Sequence, residues 1–277
     1  MTKLFISSDI EGCAGIVDWQ QVLPGNADYE MGRRLLLGEI NAAIEGAAKC
    51  GVDEIVVNDS HSTMQNLDPE QLGGNATYIS GSYKPMYMMQ GLDSSFDAAF
   101  FIAYHGAIGG EPSALSHTYN PRAIADVRLN GTVVGESAVN ALVALHHRVP
   151  IVLVTGDRQT AEQAMPFLPH AEYVVVKESI SRSAAHSMHP HAARAAISAG
   201  AERALCTSGR RGLPEVELPA RLEIDFLTAD MAQMATWISG VKQTAERTVV
   251  LEGSNPLELY EAFVAIIYLT RSIVEQA

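Results

Sequence analysis

Asp9 and Glu11 stand two residues apart in LFISSDIEG, directly after the apolar run Leu4-Phe5-Ile6. In a strand, residues i and i+2 share a face, so the two charges would repel unless a cation lay between them. An isolated D-x-E is ordinarily a solvated strand end, here leading into a turn at Gly12 and Gly15. Other segments change that balance. NDSHS sets His61 just beyond a second apolar run, and FFIAYHG sets His105 beyond another. Carboxylates and imidazoles together suit zinc or another first-row divalent ion. Glu136, in VVGES, opens a helical pattern, where a first-turn Glu is also favoured by the helix dipole alone. His117 closes the Gly-rich loop HGAIGGEPSALSH. It reads either as a surface histidine or as an acid/base group that stands beside a metal without ligating it.

These residues need a common scaffold. Strand-like and helix-like segments alternate over the first two thirds of the chain: KLFISSD, a helix from Tyr29 to Lys49 stopped by Gly51, EIVVND, ATYIS and AAFFIAY. A hairpin at Asn130-Gly131, a helix from Gly135 to His147 and the strand PIVLV follow. The expected fold is α/β, a largely parallel sheet flanked by helices, with a smaller C-terminal α+β unit. The expected domains are 1–179, holding the metal site, and 180–277. The smaller unit takes in a helix from Pro190, the loop from Cys206 to Pro214, RLEIDF, TVVLE and a terminal helix. Parallel sheets bind ligands beyond the carboxyl ends of their strands, so Asp9, Glu11, His61 and His105 would gather on one edge.

Composition sets limits on partners. A formal net charge of −13, with no Lys/Arg-rich run to offset it, argues against a nucleic-acid binder. The most apolar C-terminal stretch contains Glu261 and Arg271 and is too short between them to span a bilayer. Cys13, Cys50 and Cys206 match neither a disulfide framework nor a C-x-x-C motif, which favours a reducing cytoplasm. No apolar leader segment follows Lys3.

Taken in order, SSDIEG, VNDSHS, a strand ending YHG, LSHT and VVGE resemble the zinc D-aminopeptidase family of the dipeptide-operon type. Lys84-Pro85, Gly156-Asp157 and ESISRSA from Glu178 extend the likeness along nearly the whole chain. The resemblance implies two zinc ions. Asp9 would bridge them, Glu11 and His105 would complete one site, and His61 and Glu136 the other. His117 would be catalytic. It further implies a homo-oligomeric ring that cleaves short peptides with an N-terminal D-residue, such as D-Ala-D-Ala, by attack of metal-held hydroxide. The ligand set alone also admits another dinuclear hydrolase (an L-specific peptidase, amidase or phosphoesterase) or a structural metal in a non-enzymatic protein. A phosphatase would bring a nucleophilic Ser or Thr and a cation beside the metals, and a structural site would be closed.

Other residues have plainer expected roles. Asp157 is an N-cap for a helix near Gln159, and His186, His189 and His191 mark a solvated helix start. His146 and His147 suit a helix C-terminus, and Met86, Met88 and Met89 a packed surface. Arg182 has the chemistry to clamp a substrate carboxylate, although a structural turn is the commoner use of such a residue.

Overall fold

The computed structural model describes residues 2–207 and 212–274. Its strands are β1 (Lys3–Ser8), β2 (Glu54–Asp59), β3 (Thr77–Ile79), β4 (Ala98–Tyr104), β5 (Ile124–Leu129), β6 (Thr132–Val133), β7 (Ile151–Asp157), β8 (Glu172–Ser181), β9 (Ala184–Ser187), β10 (Ala220–Phe226), β11 (Lys242–Ala245) and β12 (Thr248–Gly253). The helices are α1 (Tyr29–Ala48), α2 (Glu136–His147), α3 (Arg158–Ala164), α4 (Pro190–Cys206), α5 (Ala229–Ala235) and α6 (Pro256–Val274).

Seven strands form one sheet in the order β3-β2-β1-β4-β7-β8-β9, parallel throughout except for the β8–β9 pair. Successive side chains leave a strand on opposite faces, and the core divides accordingly. Leu4, Ile6, Phe100 and Ile102 pack with Leu36 and Ile40 of α1 and Ile197 of α4. Phe5, Phe101 and Tyr104 turn the other way, onto α2, α6 and the inner face of a second sheet. Each fully buried Leu, Ile or Phe contributes roughly 1.5–3 kcal/mol of transfer free energy, which makes both layers firm supports. The second sheet, β11-β12-β10-β5-β6, is antiparallel.

Several expectations change in this setting. The sheets do not divide at 179/180. The hairpin β5–β6 belongs to the small sheet, while β8 runs on to Ser181 and β9 and α4 complete the large layer. The two sheets also share one continuous core through α2 and α6. Of the loop expected from Cys206 to Pro214, residues 208–211 lie outside the described residues.

The cysteine spacing gave no sign of pairing, yet Cys50 and Cys206 form a disulfide across 156 residues, with Cα atoms 5.5 Å apart. They meet because α1 and α4 lie in close contact: a Cβ at Gly46 would collide with the Ser198 carbonyl. The spacing therefore no longer argues for a reducing compartment. Cys13 is a buried free thiol. Among the described residues no helix is long and apolar enough to cross a membrane.

Candidate metal centre

The order of the large sheet reverses at β1: β2 and β3 lie to one side, β4, β7 and β8 to the other. Such a switch point opens a crevice beyond the carboxyl ends of the strands. Asp9 follows β1 and His105 follows β4, the two strands that flank it. Asp9 and Glu11 do not reach the site by strand alternation. β1 ends at Ser8, and a tight turn, Cys13 N to Ile10 O, brings both carboxylates to the same side. Gly12 makes that turn possible. Its N–H donates to Ala103 O at 2.8 Å, and a Cβ there would run into the Tyr104 carbonyl.

His61 lies just beyond β2, and Glu136 is the first residue of α2. His117 lies in the loop after β4, which two serines fasten. Ser113 Oγ accepts from Gly106 N at 3.0 Å and donates to Asp157 Oδ2 at 2.6 Å, and Ser179 Oγ donates to the same oxygen at 2.7 Å. Asp157 also N-caps α3 through Thr160 N, as its position predicts. Left-handed backbone at non-glycine residues is sparse in proteins and concentrates at functional sites. Here Ser62, Ala103, Leu115 and Tyr119 adopt it, each within two residues of a site histidine.

All six predicted site residues converge, and all are buried. His61 Nδ1 lies 3.2 Å from Asp9 Oδ1 and 3.0 Å from Glu11 Oε2. His105 Nε2 lies 3.3 Å from Asp9 Oδ2 and 3.6 Å from Glu136 Oε1. His117 Nε2 is 3.7 Å from Glu136 Oε1 and 4.0 Å from Glu11 Oε1, and its ring stacks on that of His105 at 4.2 Å. One device orients all three imidazoles. His61 Nε2 donates to Val22 O, His105 Nδ1 to Gly106 O and His117 Nδ1 to Leu115 O, at 2.8–3.0 Å. Each ring therefore turns its second nitrogen toward the carboxylates, which is how metal-binding imidazoles are held.

The electrostatics show what this cluster lacks. Burial pushes Glu11 up, and the neighbouring Asp9 charge adds to it. Burial would raise Asp9 too, but His105 and His61 outweigh it and hold the carboxyl well below its usual range. Glu11 and Asp9 raise His61, and Glu136 and Asp9 raise His105, each against its burial. Burial, and then the charge of His105, push His117 down to about 4. Asp9 Oδ2, both carboxylate oxygens of Glu11 and His105 Nε2 are buried and, despite these close ion pairs, make no well-aligned hydrogen bond. Unpartnered buried polar atoms are costly, and a divalent cation would satisfy these oxygens and this nitrogen together. Asp9, Glu11 and His105 present ligand atoms within 4.8 Å of one another, as do His105, His117 and Glu136. The donor set of carboxylate oxygen and imidazole nitrogen fits zinc.

The site opens into a cavity of about 640 Å³, large enough for a small ligand. Asp9, Glu11, His61, His117 and Glu136 line it together with Trp19, whose ring lies 5.5 Å from that of His117.

Residues 2–265 match the D-aminopeptidase peptidase family. The chain belongs to that family. A D-aminopeptidase of Bacillus subtilis strain 168 is 35% identical over 270 residues, covering 95% of this chain and 96% of the relative. The chain is also similar to the solved structure of DppA from Bacillus subtilis, a zinc-dependent D-aminopeptidase described as a self-compartmentalizing protease. That match has a TM-score of 0.91 at 32% identity and covers 98% of both chains. The chain is a family hydrolase with the α/β fold expected of it.

Sequence reasoning missed two supports of the site. Glu39 and Lys177 are buried behind the loop that carries Glu11. Lys177 interrupts the apolar strand EYVVVKES, and a lone lysine in such a run was the available signal. Glu39 carried a similar mark, a lone acid among Leu36, Ile40 and Ala43 on the face that α1 turns inward.

Proposed function

We propose that the chain is a zinc-dependent D-aminopeptidase that removes the N-terminal residue from short peptides such as D-Ala-D-Ala at a dinuclear centre. The observation that carries this reading is the buried group of unpartnered ligand atoms at the cavity wall, in a chain of the D-aminopeptidase family.

Asp9, Glu11, His61, His105 and Glu136 would hold the ions, with Asp9 lying between His61 and His105. Zinc, when bound, supplies Lewis-acid polarisation of the scissile carbonyl and of water. The substrate's free amine would bind an ion or an acidic group of this centre, which makes the N-terminal bond the one presented for cleavage. His117 acts as the acid. Its Nδ1–H is committed to Leu115 O, so Nε2 is the atom that takes up a proton and passes it to the leaving amine. Trp19 beside it shields that transfer from water.

The ring-like homo-oligomer that the resemblance implies is part of this reading. Tyr83, Ile180 and Trp237 are each about 70% exposed, which is surface that self-association would cover. Light scattering on the purified protein tests the assembly. For the activity, the decisive experiment compares hydrolysis of D-Ala-D-Ala and L-Ala-L-Ala by zinc-loaded protein. Cleavage of the D,D peptide alone is the expected result. Cleavage of the L,L peptide alone would move the chain to an L-specific peptidase, and cleavage of neither by fully zinc-loaded protein would overturn the substrate assignment.

A further inference from the structure

We propose that Arg182 and Arg122 form a recognition site for the free α-carboxylate of the peptide, so that the enzyme selects short peptides with an unblocked C-terminus. The proposal rests on the aminopeptidase reading and adds to it the far end of the substrate.

A short peptide is a zwitterion. With its amino end held at the metal centre, the carboxylate at its other end needs a cationic partner of its own. Both arginines line the same cavity, as does Arg271, and among the described residues its lining acids are Asp9, Glu11 and Glu136. Arg182 is also held in place. The Arg182 carbonyl accepts from Leu115 N at 2.8 Å, its Nε donates to Ser116 O at 3.2 Å, and its guanidinium lies 5.9 Å from the centre of the Trp19 ring. It is thus strapped to the two residues that precede His117.

With Nε engaged, the edge formed by Nη1 and Nη2 has no partner among the described residues. Two parallel N–H groups on one planar edge match the two oxygens of a carboxylate. Arg122 follows Pro121, and its main-chain N donates to Asn120 Oδ1 at 3.1 Å. Its side chain has no ion pair among the described residues. By contrast, Arg33, Arg128, Arg158, Arg203 and Arg221 each meet a carboxylate.

The placement also limits length. In a dipeptide the α-carboxylate carbon lies about 4 Å from the scissile carbonyl carbon, and each added residue moves it up to about 3.6 Å further. Arg182, tied to the two residues before His117, therefore favours a C-terminus near the scissile bond.

The test is calorimetric binding to zinc-loaded protein of two analogues of D-Ala-D-Ala in which CH2–NH replaces the scissile amide. One ends in a carboxylate and the other in a carboxamide. The carboxylate form is expected to bind at least about tenfold more tightly, the effect of one charge-assisted hydrogen bond. Arg182→Met and Arg122→Met should each shrink that ratio, whereas loosening of the His117 loop alone would weaken both analogues alike. A third analogue keeps the carboxamide and carries a glutamate side chain at the second position. It should bind no better than the plain amide.

Equal binding of the first two analogues, an unchanged ratio in both variants, or full rescue by the glutamate side chain would overturn the proposal. Because binding is read without turnover, failure of the protein to cleave D-Ala-D-Ala would count against the aminopeptidase reading and leave this ratio to decide the carboxylate site.

Discussion

Lys177 holds Glu11 from behind: its Nζ donates to the main-chain carbonyl of Glu11, and also to those of Cys13 and Ile16. The side chain is 1% exposed and crosses from β8 to the loop after β1. One ammonium group thus satisfies three buried carbonyls in the turn that aims a candidate metal ligand. Supports of this kind are worth about 10- to 100-fold in metal affinity. Lys177→Met is expected to lower zinc affinity by that order while the protein stays folded. A metal titration of wild type and variant, read beside circular dichroism, measures it, and unchanged affinity would remove Lys177 from the site.

His117 is expected to matter for turnover and not for metal retention. His117→Ala should lower kcat by about 100-fold or more, the scale of general acid–base catalysis, with zinc content unchanged. Zinc content by atomic absorption and kcat are read on the same sample. Loss of zinc in that variant would make His117 a ligand, as its proximity to His105 and Glu136 also allows.

Metal removal should cost stability as well as activity. Without a cation, Asp9 and Glu11 face each other with unpartnered oxygens in a buried site. Zinc is expected to bind the folded chain and so to raise Tm as its concentration passes Kd; a ligand at 100 times Kd stabilises by about 2.7 kcal/mol. Asp9→Asn should abolish most of that rise. A Tm that ignores zinc and chelator in the wild type would contradict a metal centre here.

Glu39 supplies a pH signature. Burial raises its carboxyl from the ordinary 4.5 to about 7, although Oε1 accepts from Ala14 N at 2.8 Å. The folded chain therefore binds more protons than the unfolded chain between these values. Stability is greatest below pH 4.5 on this account, falls as pH rises toward 7, and levels off beyond, by a total on the order of 3 kcal/mol. In Glu39→Gln this component is absent, so the variant should lose less stability than wild type between pH 5 and pH 7.5. Urea midpoints at the two pH values decide it, and equal losses would show that Glu39 does not titrate there.

The Cys50–Cys206 bond closes a long segment of chain and so restricts the unfolded state. Thiol titration of the unfolded, unreduced protein should find one free cysteine, Cys13, and three after reduction. Cys50→Ser is expected to lower stability by about 2–4 kcal/mol in the absence of reductant. Three reactive thiols before reduction would disprove the pairing.

By itself the sequence determined the alternation of elements and the ligand types. β2 and β4 fall where EIVVND and AAFFIAY predict them, and α1 stops within one residue of its expected end. Those signals are local: apolar runs, helical period and a glycine stop are carried by neighbouring residues. Metal-ligand chemistry is likewise written in residue type, which is why Asp9, Glu11, His61 and His105 could be named together before any contact was known.

What only the tertiary structure decided depends on residues far apart in sequence. The strand order that reverses at β1, the turn at Gly12 that replaces strand alternation, and the sheet to which β5 and β6 belong are all outcomes of non-local pairing. So is the meeting of Cys50 with Cys206, which follows from how closely α1 approaches α4. Lys177 acquires its role for the same reason. A buried ammonium must find acceptors, and the three carbonyls that receive it lie more than 160 residues away along the chain.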